Sequence, residues 1–458
     1  MSRATRGVTG SPPCVSVLCE LCVRSSLRSP PSPAALAVLL RALRSKRTLS
    51  VSLLSFASGL PLGLVWYAIP DWMRDIGVDI RIVGLITVAQ APWSFKVLWS
   101  PLMDRYVPPF WGRRRGWMAV TQLVLLVLGL MLAGVGERPD ALWVVGALAF
   151  AIAVASASQD IAIDAYAVEV LHTEEQGAAV GARLAFYRAA MVVSGGAAIT
   201  LAARIGWPAV NALLALVYLP MLVLTWKSPE PEVRPASPRT LRDAVWLPFL
   251  GFLKRPRALE ILAFVVLYKL GDQLTQSLTR PFLIDMGYDA THRGIVLATV
   301  TVAATIVGTF AGGFVTTMAG LGHALWIFGV LQIFSNAGYL LLSLLDEPNL
   351  AAMYGATSFE LFCAGLGMGA FGVLLLRLTE KRFSATQYAL LSSLFALPRV
   401  VAGPATGFVV NAFGWPTFFV ATMIVGVPGL LMLARFVPPG VREPELDVGD
   451  RSVTVADG

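Results

Sequence analysis

The sequence predicts an all-α polytopic membrane protein, with twelve transmembrane helices in two pseudo-symmetric six-helix bundles. Three observations carry this reading. Of the 458 residues, 56% are hydrophobic and only 14% are charged, and the mean hydropathy is +0.69. A soluble domain carries about 25% charged residues. Apolar runs close to the ~20 residues that span a bilayer as a helix recur along the whole chain. No run alternates apolar and polar residues, which sets a β-barrel aside. The same composition excludes a disordered chain, a nucleic-acid-binding module and an ordinary soluble enzyme.

Taken in order, residues 1–47 read as a disordered extension. Ser11 to Leu27 is only mildly apolar and is interrupted by Glu20 and Arg24, and Ser29-Pro30-Pro31-Ser32-Pro33 cannot be helical. The stretch lacks the clean apolar core and cleavage site of a secretory signal. The first bundle, residues 48–226, holds candidate spans Leu49–Pro70, Ile82–Met103, Gly116–Gly136, Ala141–Ala167, Ala178–Ala203 and Ala209–Trp226. Residues 227–258 form a polar, Pro-rich linker through Pro229, Pro231, Pro235 and Pro238. Within it, Asp243–Lys254 reads as a short amphipathic helix on the membrane surface. The second bundle, residues 259–436, holds Leu259–Ile284, Gly294–Met318, Ala324–Leu345, Ala351–Leu376, Ser384–Asn411 and Trp415–Phe436, and residues 437–458 form a tail.

Net charge is +8, from 36 basic and 28 acidic residues. The excess sits in short loops, where it sets topology. One side collects Arg41, Arg44, Lys46 and Arg47, then Arg105 with Arg113, Arg114 and Arg115, the linker cations, Arg377, Lys381 and Arg382, and finally Arg435, Arg442 and Arg451. The other side holds only Arg74, Arg81, Arg138, Arg204 and Arg293. The positive-inside rule then places both termini and the linker in the cytoplasm. Cys14, Cys19, Cys22 and Cys363 make neither a disulfide framework nor a metal site. The chain has no nucleophile–His pair, metal cluster or nucleotide-binding glycine loop, so no catalytic residue, metal or cofactor is expected.

An ionisable side chain near the bilayer centre costs about 2.5–3.5 kcal/mol on insertion scales, so it needs a partner, a watery cavity or a function. Lys96, Asp160, Asp164, Arg183, Arg188, Lys269, Asp272, Arg280, Glu360 and Arg399 all fall inside candidate spans. Asp160 and Asp164 are four apart and so share one helix face. Each disfavours ionisation of the other, which raises proton affinity and suits a proton-coupled carrier. A structural ion pair with Arg188 or Lys96 is the alternative. Lys269 and Asp272 make either a local i,i+3 pair or a cation offered to an anionic substrate. Glu360 stands alone in its span, and is either protonated or met by a base across the bundle. Glycines such as Gly195-Gly196, Gly312-Gly313 and Gly365-x-Gly367-x-Gly369 let helices pack closely and rock.

Asp104-Arg105 at the end of the second span, with Gly112-Arg113-Arg114-Arg115 before the third, resembles the Asp-Arg…Gly-Arg-Arg loop of major facilitator superfamily transporters. A carboxylate at a helix end and a cluster of cations can latch two halves together. This sequence departs from the pattern in Ser100-Pro101, where a Gly-rich start is common, and in the longer Val107–Trp111 segment. The matching loop of the second half, Gly312-Gly313 to Gly322, has lost its charges. A narrower match covers about residues 50–435. Phe95-Lys96-Val97-Leu98-Trp99-Ser100-Pro101-Leu102-Met103-Asp104-Arg105-Tyr106, Ser156-Ala157-Ser158-Gln159-Asp160 with Asp164-Ala165, and Tyr187-Arg188 with Ser194-Gly195-Gly196 resemble AmpG-type muropeptide permeases. So do Leu270-Gly271-Asp272, Ser335-Asn336-Ala337-Gly338-Tyr339 and Phe383-Ser384-Ala385-Thr386-Gln387. Glu169 stands where those relatives carry Asp.

The resemblance implies the major facilitator fold and proton-driven import of N-acetylglucosaminyl-anhydro-N-acetylmuramoyl peptides across the bacterial inner membrane. These are cell-wall recycling products that also lead to β-lactamase induction. The wider family includes acetyl-CoA transporters. The expected roles are therefore proton coupling at Asp160 and Asp164, and substrate binding by Gln90, Lys96, Gln159, Arg188, Lys269, Asp272, Gln273, Asn336 and Glu360. The gating loop is Asp104, Arg105, Gly112, Arg113, Arg114 and Arg115. A monomer surrounded by membrane lipids, with a small-molecule substrate and no nucleic acid, is expected. The same carrier with acetyl-CoA or another bulky anion as cargo is the alternative. A non-transporting receptor or scaffold would have little use for the buried charges.

Overall fold

The structure, a computed structural model, describes residues 41–76, 87–136, 142–231, 238, 240–255 and 257–444, without the side chains of Arg74, Thr87, Val88, Leu142, Ala290, Leu297, Ala298 and residues 396–405. The extension up to residue 40 with three of its cysteines, the start of the expected second span, the middle of the linker, the Arg399 side chain and the tail from 445 lie outside the described residues. Helices make up nearly all of the rest, and no strand occurs among the described residues.

Nine of the described helices are long and apolar enough to cross a bilayer. They include α1 (Lys46–Met73), α3 (Arg113–Val135), α4 (Leu142–Val170), α5 (Gln176–Ile205) and α6 (Trp207–Lys227). The expected second span, α2, is broken instead of continuous. The 3₁₀ turns Thr87–Gln90 and Lys96–Leu98 alternate with short helices Ala91–Phe95 and Ser100–Arg105. Pro92 and Pro101 each open one of those helices, where a missing N–H is tolerated. A short helix, α7, occupies Leu241–Leu253, with Thr240 capping it through Asp243 N.

The expected seventh span, α8, runs as Ala258–Leu267 and Leu270–Asp285, with Lys269 at the non-helical junction (φ −108°, ψ 0°). Next come α9 (Ala290–Ile295, a π segment Val296–Val300, then Thr301–Ala319), α10 (Leu321–Ser343) and α11 (Leu350–Leu378). The last, α12 (Ser384–Phe436), turns at Gly414, whose φ of 78° only glycine adopts readily. Two further π segments interrupt α1 at Leu64–Ala68 and α5 at Val193–Ala197. Such bulges concentrate at functional sites.

Burial is inverted relative to a soluble protein. Leu123, Val127, Met131, Trp143, Phe334, Leu341, Phe408 and Leu431 lie exposed, on surfaces that lipid tails solvate, while Lys96, Asp104, Arg114, Asp164, Lys269 and Glu360 are buried. Small residues set the closest helix contacts. Gly308 and Gly312 of α9 lie against the α11 backbone at Phe362 and Leu366. Gly177 and Gly181 of α5 meet Gly313 of α9, so the two bundles touch there.

The apolar core explains how the bundles sit. At the end that carries Arg113, Arg114 and Arg377, here the basic end, one cluster joins both halves through Met103, Ile163, Val180, Phe371, Leu375 and Leu391. At the opposite end the core is split. One cluster belongs to the first bundle (Trp72, Leu132, Ile152, Trp207) and another to the second (Phe282, Tyr339, Met353, Phe419). The halves are packed together at the basic end and part toward the other.

Candidate functional site

A cavity of about 250 Å³ lies between the bundles. Ser58, Lys96, Asp160, Asp164, Arg183 and Tyr187 line it from the first bundle, and Phe371, Tyr388, Ser392 and Phe395 from the second. Helical spacing in α4 puts Asp160 and Asp164 on the same wall, one turn apart. The break in α2 brings Lys96 to that wall, and Trp99 Nε1 ties the broken helix to α4 by donating to Ser158 Oγ at 3.0 Å. Lys96 Nζ donates to Asp164 Oδ2 at 3.3 Å, and Arg183 donates to Asp164 Oδ1. Asp160 accepts from the Ser58 hydroxyl. Tyr388, from α12, stands against Arg183, so the second bundle also touches the cluster. Two carboxylates thus face two cations in one water-accessible wall, an arrangement that can bind an anionic group and move a proton.

Arg183 is the cation that meets Asp164. Arg188, the expected partner and substrate ligand, is exposed and makes no ion pair among the described residues. Gln159 is fully buried, with no hydrogen-bond partner on either amide atom among the described residues, and does not line the cavity. Gln90 is half-buried at the start of the Ala91–Phe95 helix, away from the cavity wall.

The remaining expected substrate ligands gather inside the second bundle. Lys269 Nζ donates to Asp272 Oδ2 at 2.9 Å and to the Ala364 carbonyl at 3.3 Å. Glu360 does not stand alone: Gln276 Nε2 donates to its Oε1 at 3.2 Å. Asp272 and Asn336, with Gln332, border a small void of about 10 Å³, roughly the space one water needs. Gln273 is buried beside them. Among the described residues, no group of three or more His, Cys, Asp or Glu side chains could hold a metal ion.

The basic end holds a second ionic assembly, which crosses between the bundles. Arg114, 2% exposed, donates through Nη2 to Asp104 Oδ1 at 2.6 Å and through Nε to Glu169 Oε1 at 2.8 Å. Arg113 adds a bond to Glu169 at 2.9 Å. On the other bundle, Ser384 Oγ donates to Glu169 at 2.6 Å and accepts from Arg114 Nη2 at 2.7 Å. Asp104 Oδ2 accepts from Thr386 N at 2.9 Å and Thr386 Oγ1 at 2.7 Å. Asp104 therefore caps the N-terminus of α12 from another element, where unpaired N–H groups and the helix dipole favour an anion. Glu169, Ser384 and Thr386 were not among the expected gating residues. Arg115 faces elsewhere, donating to Trp226 O at 3.2 Å, Ser228 O at 3.0 Å and Glu230, and Arg105 lies over the Tyr106 ring. Gly112, at φ 78°, makes the turn into α3.

Residues 51–402 match the family model of the Major Facilitator Superfamily. The anhydromuropeptide permease of Escherichia coli K12 is 45% identical over 86% of this chain and 80% of its own length. An uncharacterized protein of Haemophilus influenzae is 32% identical over 86% of this chain and 95% of its own. Among solved structures, a bacterial homologue of the iron transporter ferroportin, in an outward-facing state, shares the fold. It has a TM-score of 0.63 at 11% identity and covers 85% of this chain and 98% of that one. A proton:xylose symporter gives 0.60 at 12% identity, covering 86% and 96%. With the helical architecture and the latch-and-cavity arrangement in view, the chain belongs to the Major Facilitator Superfamily and, within it, to the AmpG-type permeases, and it is a membrane transporter and not an enzyme.

Proposed function

We propose that the protein imports anhydro-muropeptides from periplasm to cytoplasm by proton-coupled alternating access. The observation that carries this is the charged wall of Lys96, Asp160, Asp164 and Arg183 on a cavity shared by both bundles. The E. coli relative, named for this cargo, supports the choice of substrate. A muropeptide is large, hydroxyl-rich and anionic. The cavity, about 250 Å³, is smaller than the ~300–1,000 Å³ typical of ligand sites, so the cations hold the carboxylate end while the sugars extend toward the parted end.

The lysine and arginine distribution supports a cytoplasmic basic end with both termini on that side, and the E. coli relative supports a bacterial inner membrane. The conformation is then outward-facing, with the Asp104–Arg114–Glu169 assembly clasping α12. Asp164 is matched by Lys96 and Arg183. Asp160 makes no ion pair among the described residues, holds the Ser58 hydrogen bond, and is the proton site in this cycle. Protonation and arrival of substrate anion change the charge balance of the wall. The bundles then rock about the site, and the clasp at Ser384–Thr386 releases. One proton moving with the membrane potential contributes about 2.3 kcal/mol per 100 mV. The working unit is a monomer in lipid.

The test is uptake of radiolabelled anhydro-muropeptide into proteoliposomes with and without an inward proton gradient. Gradient-dependent accumulation is expected. No uptake by folded protein would overturn the cargo and turn attention to acetyl-CoA and other bulky anions. Uptake indifferent to the gradient would overturn the coupling.

A further inference from the structure

The polar cluster inside the second bundle has no part in the cycle just described, yet its charges do not balance. Among the described side chains, Glu360 is 1% exposed and faces Lys269 and Asp272 of α8, Gln276 one turn further on, Tyr339 of α10 and Cys363 on its own helix. Lys269 is the single described cation there, and Asp272 already holds it at 2.9 Å. The Thr301–Ala319 helix of α9, packed along α11, brings no titratable group. Arg183 of α5 and Tyr388 of α12 face the cavity between the bundles. Glu360 Oε1 accepts from Gln276, and the neutral Tyr339 hydroxyl is the other side-chain group against the carboxyl among the described residues. Around it, Thr275 Oγ1, the Gln332 amide and Asn336 Oδ1 are buried without hydrogen-bond partners among the described residues, and the Tyr339 hydroxyl stands among Glu360, Thr279 and Thr357. An ionised carboxylate enclosed with one shared cation and no second one is strongly disfavoured, and a neutral carboxyl is not.

We propose that Glu360 is a second proton-binding site, loaded in this conformation and enclosed within the second bundle. The proposal rests on the reading of the protein as a proton-coupled carrier. The surroundings give that proton mechanical consequence. Lys269 occupies the junction between the two segments of α8, and its ammonium also holds the Ala364 carbonyl of α11, one turn beyond Glu360. Gly367 makes room for this, since a side chain there would collide with the Gln332 amide and Lys269 Nζ. When Glu360 releases its proton, two carboxylates compete for one ammonium. The charge is then relieved only if α8 and α11 shift, or if water enters by way of the void beside Asp272. Proton release from Glu360 is thereby tied to movement of α8 against α11.

Infrared titration of the reconstituted protein without substrate tests this directly. A protonated-carboxyl carbonyl band should persist at neutral pH, vanish in Glu360→Gln and survive in Asp160→Asn. No such band in the wild type, or one untouched by Glu360→Gln, overturns the proposal. If Glu360→Gln fails to fold, Glu360→Asp carries the test, because it keeps the acid and should move the band; an unmoved band is contradictory. In proteoliposomes, Glu360→Gln should lower the number of protons moved per substrate by one, and an unchanged ratio overturns the coupling role. Because the infrared readout needs no cargo, a Glu360 band without muropeptide uptake supports the proton site while sinking only the cargo.

Discussion

The two bundles carry similar buried charges and use them differently. In the first, Lys96 and Arg183 oppose Asp160 and Asp164 on the wall of a cavity. In the second, Lys269 is the one cation among the described residues that opposes Asp272 and Glu360, enclosed beside the unpartnered Gln332 amide and Asn336 Oδ1. A balanced cluster open to a cavity can exchange its internal partners for those of a substrate. In the proposal above, an unbalanced, enclosed cluster keeps a proton and responds to pH through helix packing. The proposed division is then substrate charge recognition in the first bundle and charge storage in the second.

Removing a cation from either cluster should have the largest effect. Arg183→Ala leaves Asp164 with only the longer Lys96 contact, and breaking such a buried pair typically costs about 3–5 kcal/mol. Thermal unfolding in detergent should show a large drop, partly restored in Arg183→Ala/Asp164→Asn. Failure of the second change to restore stability would mean that the two side chains are not coupled. Carboxylate neutralisation comes next and separates the bundles most sharply. Asp164→Asn strands two cations and should destabilise by about 2–4 kcal/mol, of the order of a charge-assisted pair lost. Glu360→Gln replaces a neutral acid by a neutral isostere and should change stability by less than about 1 kcal/mol. Equal losses in the two variants would erase the distinction between the clusters.

A smaller effect is expected at the basic end. Thr386→Val removes one hydrogen bond to Asp104 while the backbone N–H of residue 386 remains. That is worth about 1 kcal/mol, or a several-fold shift toward the state open at that end. Spin-label distances between α3 and α12 report it, and an unchanged distance distribution would remove Thr386 from the clasp.

Much of this was legible in the sequence. Run length and composition gave the helical membrane fold, and the four-residue spacing put Asp160 and Asp164 on one face. The Asp104…Arg114 segment read as a latch. What local spacing cannot reveal is which element lies opposite. Arg183 and Arg188 are five residues apart, so about 140° apart around the helix at 3.6 residues per turn, and only packing decides which one faces α4. Glu169 lies beyond the loop motif, and Ser384 and Thr386 come from the other bundle, more than 200 positions along the chain from the residues they bind. Their signal was the polar run Ser384-Ala385-Thr386-Gln387 opening an apolar span, where exposed N–H groups invite an anion. The break in α2 was signalled by Pro92 and Pro101, yet apolar content alone read through it as one continuous span.

The measurement closest to the centre of this account is substrate-evoked proton movement in proteoliposomes lacking any imposed gradient. Adding anhydro-muropeptide outside should draw protons inward with the wild-type protein. Asp160→Asn should diminish that proton signal while still exchanging labelled for unlabelled substrate. Substrate entry without proton movement in the wild type would contradict the account, as would an undiminished proton signal in Asp160→Asn.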